Sequence, residues 1–256
     1  MKIKIVFAIF IILVFFTIKL QAQEIIVNYR FKFLPENLNR VASLAILNDS
    51  VSVFEINEKE VVNDEKIEQA EGTNDFSVKL SVYLNRKIIK HFNNNEVNAY
   101  IPDDVDEKKY NLIIDTLNAI NWQLSNETKN ILKYTCKKAL GTFKAFKFTA
   151  WYCPDLIYTD GPWKFNGLPG LILQLDRDDQ NLQVSAIEII QHPAIKKKYT
   201  ITEPYLNKFN WPAYVSYMKK YYEKMNNMMS AVFANVENAT INEISINLID
   251  LRIDKK

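Results

Sequence analysis

Histidines, the side chains that most often carry acid–base catalysis, are scarce in this chain. His91 and His192 lie on unlike segments roughly a hundred residues apart. A Ser-His-Asp or Cys-His system needs a histidine beside its nucleophile, and the sequence has neither a Gly-x-Ser-x-Gly nor a His-Glu-x-x-His motif. We therefore predict no catalytic residue, and we interpret both histidines as surface or core residues.

Two groups of side chains have the chemistry of metal ligands without the expected pattern. Asp176, Asp178 and Asp179 offer oxygen atoms to calcium, but they lack the twelve-residue ligand loop and suit a hairpin turn better. Four methionines lie at helical spacing: Met218, Met225, Met228 and Met229. Their soft thioether sulfurs could bind copper(I), but methionines at this spacing are more typical of a core. We predict no metal and no cofactor. A pair of catalytic carboxylates, as in a hydrolase, stays an open alternative, because spacing in the sequence does not show the geometry of such a pair.

The N-terminus predicts export. Lys2 and Lys4 precede an apolar run over 5–17, and Ala22 comes before the polar Gln23. A basic start, a short apolar core and a small residue at the cut are typical of a secretory signal peptide, here 1–22. The apolar run is about 13 residues, fewer than the roughly 20 that span a bilayer, so an uncleaved anchor is the weaker alternative. The mature chain is predicted to be periplasmic or secreted, and not an integral membrane protein.

The composition is that of one packed domain over 23–256. The chain is 48% hydrophobic and 24% charged, which excludes a disordered or collagen-like protein. Without the three lysines of 1–22, the net charge falls from +2 to −1. A nucleic-acid partner is therefore disfavoured, because phosphate binding needs a concentrated positive field.

The two cysteines are predicted to form a disulfide. Cys136 and Cys153 both lie in the mature part of an exported chain, where disulfides persist. Their spacing suits one bridge, worth about 3 kcal/mol in the loop-entropy model. Two buried thiols and a metal site are the alternatives.

Short strands dominate the hydrophobic pattern, and a helix follows them. Alternation or apolar runs predict strands at 24–33, 41–47, 51–56, 76–84, 86–92, 133–139, 142–152, 171–175 and 182–190. Three- and four-residue spacing predicts a helix over 209–237 and a short one within 103–120, and 241–253 alternates again. We predict an α+β fold: a mainly antiparallel, curved, half-barrel or barrel-like sheet with a C-terminal helix packed on one face.

Glycine and proline are concentrated between 141 and 170. Four of the five glycines fall there, among large aromatic side chains. Asn-Gly and Pro-Gly pairs preset tight turns, so we predict a stiff motif turn at Asn166, Gly167, Pro169 and Gly170. Such a turn fixes an apolar surface at low entropic cost. The candidate binding residues are Trp151, Tyr152, Trp163, Phe165, Leu168 and Pro169.

This segment resembles the GLPGLI family of exported bacterial envelope proteins. Residues 167–172 spell Gly-Leu-Pro-Gly-Leu-Ile, and 161–165 and 150–152 are similar to the family's neighbouring blocks. An upstream block is similar as well, at Trp122, Glu127, Lys129, Ile131, Tyr134, Cys136, Lys138 and Ala139. The chain departs from the family at Ala145-Phe146, where a Gly-Arg pair is frequent, and at Cys153, where Thr is common. The resemblance implies an exported envelope protein without an established activity.

Three functions from different classes follow. The favoured one is a non-enzymatic binding or accessory protein that presents an apolar aromatic cleft to a peptide, a lipid or an envelope protein. The second is an unrecognised hydrolase with carboxylate chemistry, and two facing carboxylates without a lysine or arginine would favour it. The third is a structural module whose motif is only a buried turn.

Overall fold

The computed structural model describes residues 24–34, 38–61, 87–102, 109–117, 120–144, 146–191, 199 and 204–233. Within them twelve strands and a long helix follow one another. The elements are β1 (Ile25–Phe33), β2 (Leu38–Asn48), β3 (Val51–Val61), β4 (Lys87–His91), β5 (Glu96–Pro102), β6 (Tyr110–Thr116), β7 (Gln123–Ile131), β8 (Tyr134–Phe143), β9 (Phe146–Cys153), β10 (Leu171–Arg177), β11 (Leu182–Gln191), β12 (Tyr205–Asn210) and α1 (Trp211–Phe233).

All twelve strands form one curved sheet that does not close. Its order is β12-β6-β5-β4-β3-β2-β1-β11-β10-β9-β8-β7, and the neighbours are antiparallel except β12 and β6, which are parallel. The predicted α+β class, with a mainly antiparallel sheet and a C-terminal helix, is confirmed. The strands predicted at 41–47 and 51–56, and those at 171–175 and 182–190, are present and form the hairpins β2–β3 and β10–β11.

The main core lies on one face of the sheet, here called the inner face. In β1 alternate side chains are fully buried on it, among them Tyr29, Phe31 and Phe33. Because strand side chains alternate between faces, the register carries this face across the sheet through Val184 to Leu175. Tyr214 and Met218 of α1 are buried in the same core, so the helix covers part of the inner face.

The prediction of a short helix within 103–120 is wrong, because its described part contains β6. Leu112 and Ile113 are adjacent, yet both are buried, Leu112 in a smaller cluster on the outer face and Ile113 in the main core. A strand buried on both sides loses the alternation that identifies a strand. The strands β5, β7 and β12 were not predicted.

Several predicted segments lie outside the described residues. They are the signal peptide 1–22, the strand at 76–84 and the alternating stretch at 241–253. In the part of the chain that is described, no helix is long and apolar enough to cross a membrane.

Candidate functional site

The glycine-rich segment connects β9 to β10 and folds against the inner face. Trp163, Phe165 and Leu168 point into the core, and Trp163, the largest, is 2% exposed. Phe165 lies at the centre of an aromatic cluster, with ring centroids 4.6 Å from Phe148 and 5.2 Å from Phe143. The segment, here called the 154–170 loop, therefore supplies core to the sheet.

Backbone geometry explains the glycine at position 170. Gly170 has φ +148°, and a Cβ atom there would lie 2.2 Å from the carbonyl oxygen of Cys153. Gly167 has φ +88°, but a Cβ atom there would meet only Trp122 Nε1, at an ordinary contact distance of 3.9 Å. Its N–H donates to Thr159 O at 2.9 Å, and the indole of Trp122 donates to Asn166 O at 2.9 Å. The predicted motif turn is thus held by backbone hydrogen bonds and by close approach to β9.

A buried ion pair fixes the loop to the sheet. Lys90, on the inner face of β4, pairs with Asp160 of the 154–170 loop, which forms a β-bridge with Asn166 of the motif turn. Their side chains are 0% and 3% exposed. The Lys90 ammonium also donates to Gly161 O at 2.7 Å and contacts Phe165 O at 3.5 Å. One lysine therefore holds three points of the loop.

Polar groups surround this pair. The Gly161 N–H donates to Asp160 Oδ1 at 2.7 Å, whereas Asp160 Oδ2 and the Ser52 hydroxyl, which lies opposite Lys90 on β3, have no hydrogen-bond partner among the described residues. Burial lowers the pKa of Lys90, and the Asp160 charge opposes that shift. Burial, and secondarily Asp160, raises the pKa of Tyr29 well above its usual value. Tyr29 donates its hydroxyl to Ile172 O at 2.7 Å.

A second ionic cluster lies where α1 begins. Asp115 of β6 accepts from Lys144 at 3.5 Å and lies 4.0 Å from the Lys164 ammonium. The same two ammonium groups lie over the indole of Trp211, 3.1 Å and 4.9 Å from its centroid. Cation–π contacts of this kind join the loop, the sheet and the first residue of the helix.

Trp151 lies on the outer face, opposite to its neighbours Ala150 and Tyr152. A cross-strand row runs from Lys138 through Trp151 to Gln174. Lys129 reaches over the row, with its ammonium 4.2 Å from the Trp151 ring and 2.6 Å from Gln174 Oε1. The amide of Gln174 in turn donates to Asp176.

We call this arrangement the Trp151 patch; it comprises Glu127, Lys129, Lys138, Trp151, Gln174 and Asp176. Glu127 accepts from Lys138 at 3.0 Å and 3.1 Å. Burial raises the pKa of Asp176, although its bond from Gln174 and the Lys129 charge oppose the shift. Burial also disfavours the charged form of Lys129, and it therefore lowers the pKa of this ammonium group. Partial desolvation of charges that still reach the surface is typical of binding sites.

The model of one protein family, described as the N-terminal domain of N-glycanase peptide, matches residues 37–214. That range is most of the chain and includes the 154–170 loop and the Trp151 patch. The chain belongs to this family.

Two solved structures are similar to this chain, and the one with the higher TM-score shows the same fold. They are titled structures of PNGF-II, in the C2 and P21 space groups, and each is 18% identical to the chain over 76% of its length. The TM-scores are 0.51 and 0.48. The chain spans about a third of those proteins, 32% and 33% of their lengths. No match was found among curated proteins.

The predicted binding residues of the domain separate into two groups. Tyr152, Trp163, Phe165 and Leu168 are buried in the core, so they do not form the predicted apolar cleft. Trp151 is half-buried on the outer face and Pro169 is exposed. A binding role for these two stays a prediction.

The predicted disulfide is absent. Cys136 and Cys153 are buried free thiols. The Cys136 thiol donates to Tyr134 O at 3.7 Å, and backbone groups of Leu156 and Asp155 bond the sulfur of Cys153. Burial, followed by the neighbouring Cys153, raises the pKa of Cys136 to about 12. A spacing of 17 residues between the two cysteines is compatible with a disulfide bridge. The spacing does not show that each sulfur instead has its own contact with the backbone.

The structure also shows where one of the two histidines and the aspartates of the predicted hairpin turn lie. His91 ends β4 and is half-buried, and His192 lies outside the described residues. Asp179 accepts from Arg177 Nε at 2.7 Å and from Asn181, as expected of a turn residue. The turn interpretation is wrong for Asp176, which lies in β10 opposite Thr149 because the strand continues to Arg177. In the described ranges no group of three or more His, Cys, Asp or Glu side chains could hold a metal ion.

Lys90, Asp160 and Lys129 belong to these clusters but were not predicted from the sequence as members of a site. Asp160 precedes Gly161-Pro162 in the motif segment, so its turn position was visible. Lys90 carried no signal, because a lysine in a strand usually faces solvent and its partner is 70 residues away.

Proposed function

We propose that this chain is a non-catalytic accessory domain that recognises glycosylated polypeptides. Membership of the N-glycanase N-terminal family carries the proposal, because the family's name concerns enzymes that act on glycan-bearing peptides. The likeness to PNGF-II, over a third of that protein, is compatible with one domain of a larger system.

The inner-face carboxylates support a non-catalytic role. Asp160 is paired with Lys90, and Asp115 is paired with Lys144 and Lys164. Carboxylates that act as nucleophile or general acid need free oxygens facing a substrate. The hydrolase alternative would need a pair without such cations, and these two carboxylates do not form one.

The sequence supports two further parts of the proposal. The resemblance of 161–172 and its neighbouring blocks supports placing the chain with the GLPGLI proteins, and the basic and apolar start of 1–22 supports export to the periplasm or medium. Burial of Trp163 and Leu168 supports a structural role for the motif itself. An envelope-protein or lipid partner remains a prediction of the sequence.

The test compares two forms of one polypeptide. The full mature chain is immobilised and exposed to ribonuclease B, which carries one N-glycan, and to ribonuclease A, the same polypeptide without it. We expect binding of the glycosylated form alone. Equal binding of both forms would indicate peptide recognition without the glycan, and binding of neither would refute the proposed function.

A further inference from the structure

We propose that the Trp151 patch is the ligand site and that it binds a neutral sugar, with the indole of Trp151 as the stacking surface. This inference rests on the proposed function, since it identifies where the glycan binds. It places the site on the outer face of β7–β10 and retains Trp151 alone among the candidate binding residues predicted from the sequence.

The patch stands on a firm scaffold. Trp151 lies on β9, which is hydrogen-bonded on both sides, to β8 and to β10. Gln174 and Asp176 lie on β10, which is also paired on both sides. The inner face beneath them is filled core, including Ala150 and Leu175. Side chains on such strands keep their positions, so a ligand meets a preorganised surface.

The charges of the patch favour an uncharged ligand. Lys129 and Lys138 are balanced by Glu127 and Asp176, so the patch as a whole has no net charge. For an anionic or a cationic ligand, the attraction by one pair of charges is offset by the repulsion from the other pair, so the patch offers an ion no net Coulomb attraction. A neutral ligand with many hydroxyl groups can instead use both the donors and the acceptors.

The indole ring of Trp151 provides the apolar surface on which a sugar can stack. Trp151 supplies a flat apolar ring, and the ammonium groups of Lys129 and Lys138 lie over it, 4.2 Å and 6.0 Å from its centroid. An aromatic ring beside a few polar groups is the combination found at small-ligand sites. The Lys129 ammonium now lies over this ring and donates to Gln174 Oε1. A sugar that stacks on the ring displaces the Lys129 ammonium from it. The ammonium then donates to a hydroxyl oxygen of the sugar instead of to Gln174 Oε1.

The experiment titrates the full mature chain with N,N′-diacetylchitobiose and with ribonuclease B by calorimetry. Trp151→Ala is expected to weaken both affinities about 30-fold, the effect of truncating a central aromatic anchor. Trp151→Phe should lose less. Tyr205→Ala is the matched control, because Tyr205 is an aromatic residue that is 48% exposed on the distant strand β12; it should bind like wild type.

Four outcomes distinguish a failure of the proposed site from a failure of the proposed function. Loss of both affinities in Trp151→Ala alone supports the site. Glycoprotein binding that Trp151→Ala leaves intact overturns the site and keeps the proposed function. Chitobiose binding that depends on Trp151, without glycoprotein binding, keeps the site and refutes the function. Binding of neither ligand to wild type refutes both. If Trp151→Ala fails to fold, Gln174→Ala takes its place, with an expected loss of about tenfold.

Discussion

The buried pair of Lys90 and Asp160 gives the sharpest test of how the 154–170 loop is held. Lys90→Met removes the ammonium but keeps a side chain of similar length and apolar stem. Asp160 is then left as a buried charge without its cation, and the carbonyls of Gly161 and Phe165 lose their donor. Breaking a buried pair from one side typically costs about 3–5 kcal/mol.

That cost is a large share of the whole stability. Single domains unfold with a free energy of about 5–15 kcal/mol, so Lys90→Met should move the urea midpoint far below that of wild type. Asp160→Asn leaves the Lys90 ammonium buried without its counter-ion and should cost about 3 kcal/mol, the lower end of the range for a broken buried pair, because an amide oxygen can still accept from Lys90 and from the Gly161 N–H. The double variant removes both charges, and its cost should fall short of the sum of the single costs by more than about 1 kcal/mol.

The assay is urea unfolding followed by circular dichroism and by tryptophan fluorescence, which reports the four tryptophans together, the buried Trp163 among them. Lys138→Met is the matched control, since Lys138 also bonds a carboxylate, at 3.0 Å, but Glu127 is on the surface. The control should leave the midpoint unchanged. A loss below about 1 kcal/mol for Lys90→Met, or strict additivity in the double variant, would refute the anchoring role.

Three other changes test separate features. Gly170→Ala should destabilise by well over 1 kcal/mol, because its Cβ would meet Cys153 O at 2.2 Å, whereas Gly167→Ala should cost only about 1 kcal/mol of backbone strain; equal urea midpoints would contradict this. With the pKa of Cys136 raised to about 12, a thiol reagent at pH 8 should leave Cys136 of the native protein unlabelled and modify it on unfolding; rapid native labelling would contradict its burial. Because burial raises the pKa of Asp176 in the folded state, the native chain binds that proton more tightly, and stability falls as pH rises through this pKa. Asp176→Asn should be neutral or stabilising at pH 7, and it should reduce the gain in urea midpoint as the pH is lowered from 7 towards 3.8, the usual pKa of this carboxyl.

How far the sequence predicts the fold depends on how many faces of a strand are buried. β1 shows a buried residue at every second position, and its alternation was readable. β6 is buried on both faces at Leu112 and Ile113, so its apolar residues imitate helical spacing. β7 lies at the sheet edge and is mostly exposed and polar, which leaves no hydrophobic period to detect.

The site was harder to predict than the fold, because its residues come together only through the sheet order. Lys129 and Gln174 are 45 residues apart and lie on strands that are not neighbours in the sheet. Lys90 and Asp160 are 70 residues apart. Sequence spacing identified Trp151 and Trp163 as notable, but a period of two shows only that alternate residues face opposite ways, not which face is the core.

The position of the loop explains why the two faces of β9 have different roles. An open, curved sheet of twelve strands has a wide inner face, and α1 is buried against only part of it. The chain between β9 and β10 fills another part with Trp163, Phe165 and Leu168, and a sharp turn at Gly170 brings it back to β10. Since the inner face is occupied in this way, a ligand that meets β9 contacts its outer side chains, and Trp151 is the aromatic residue among them. The motif and the proposed sugar site are therefore neighbours in sequence because one strand serves both faces.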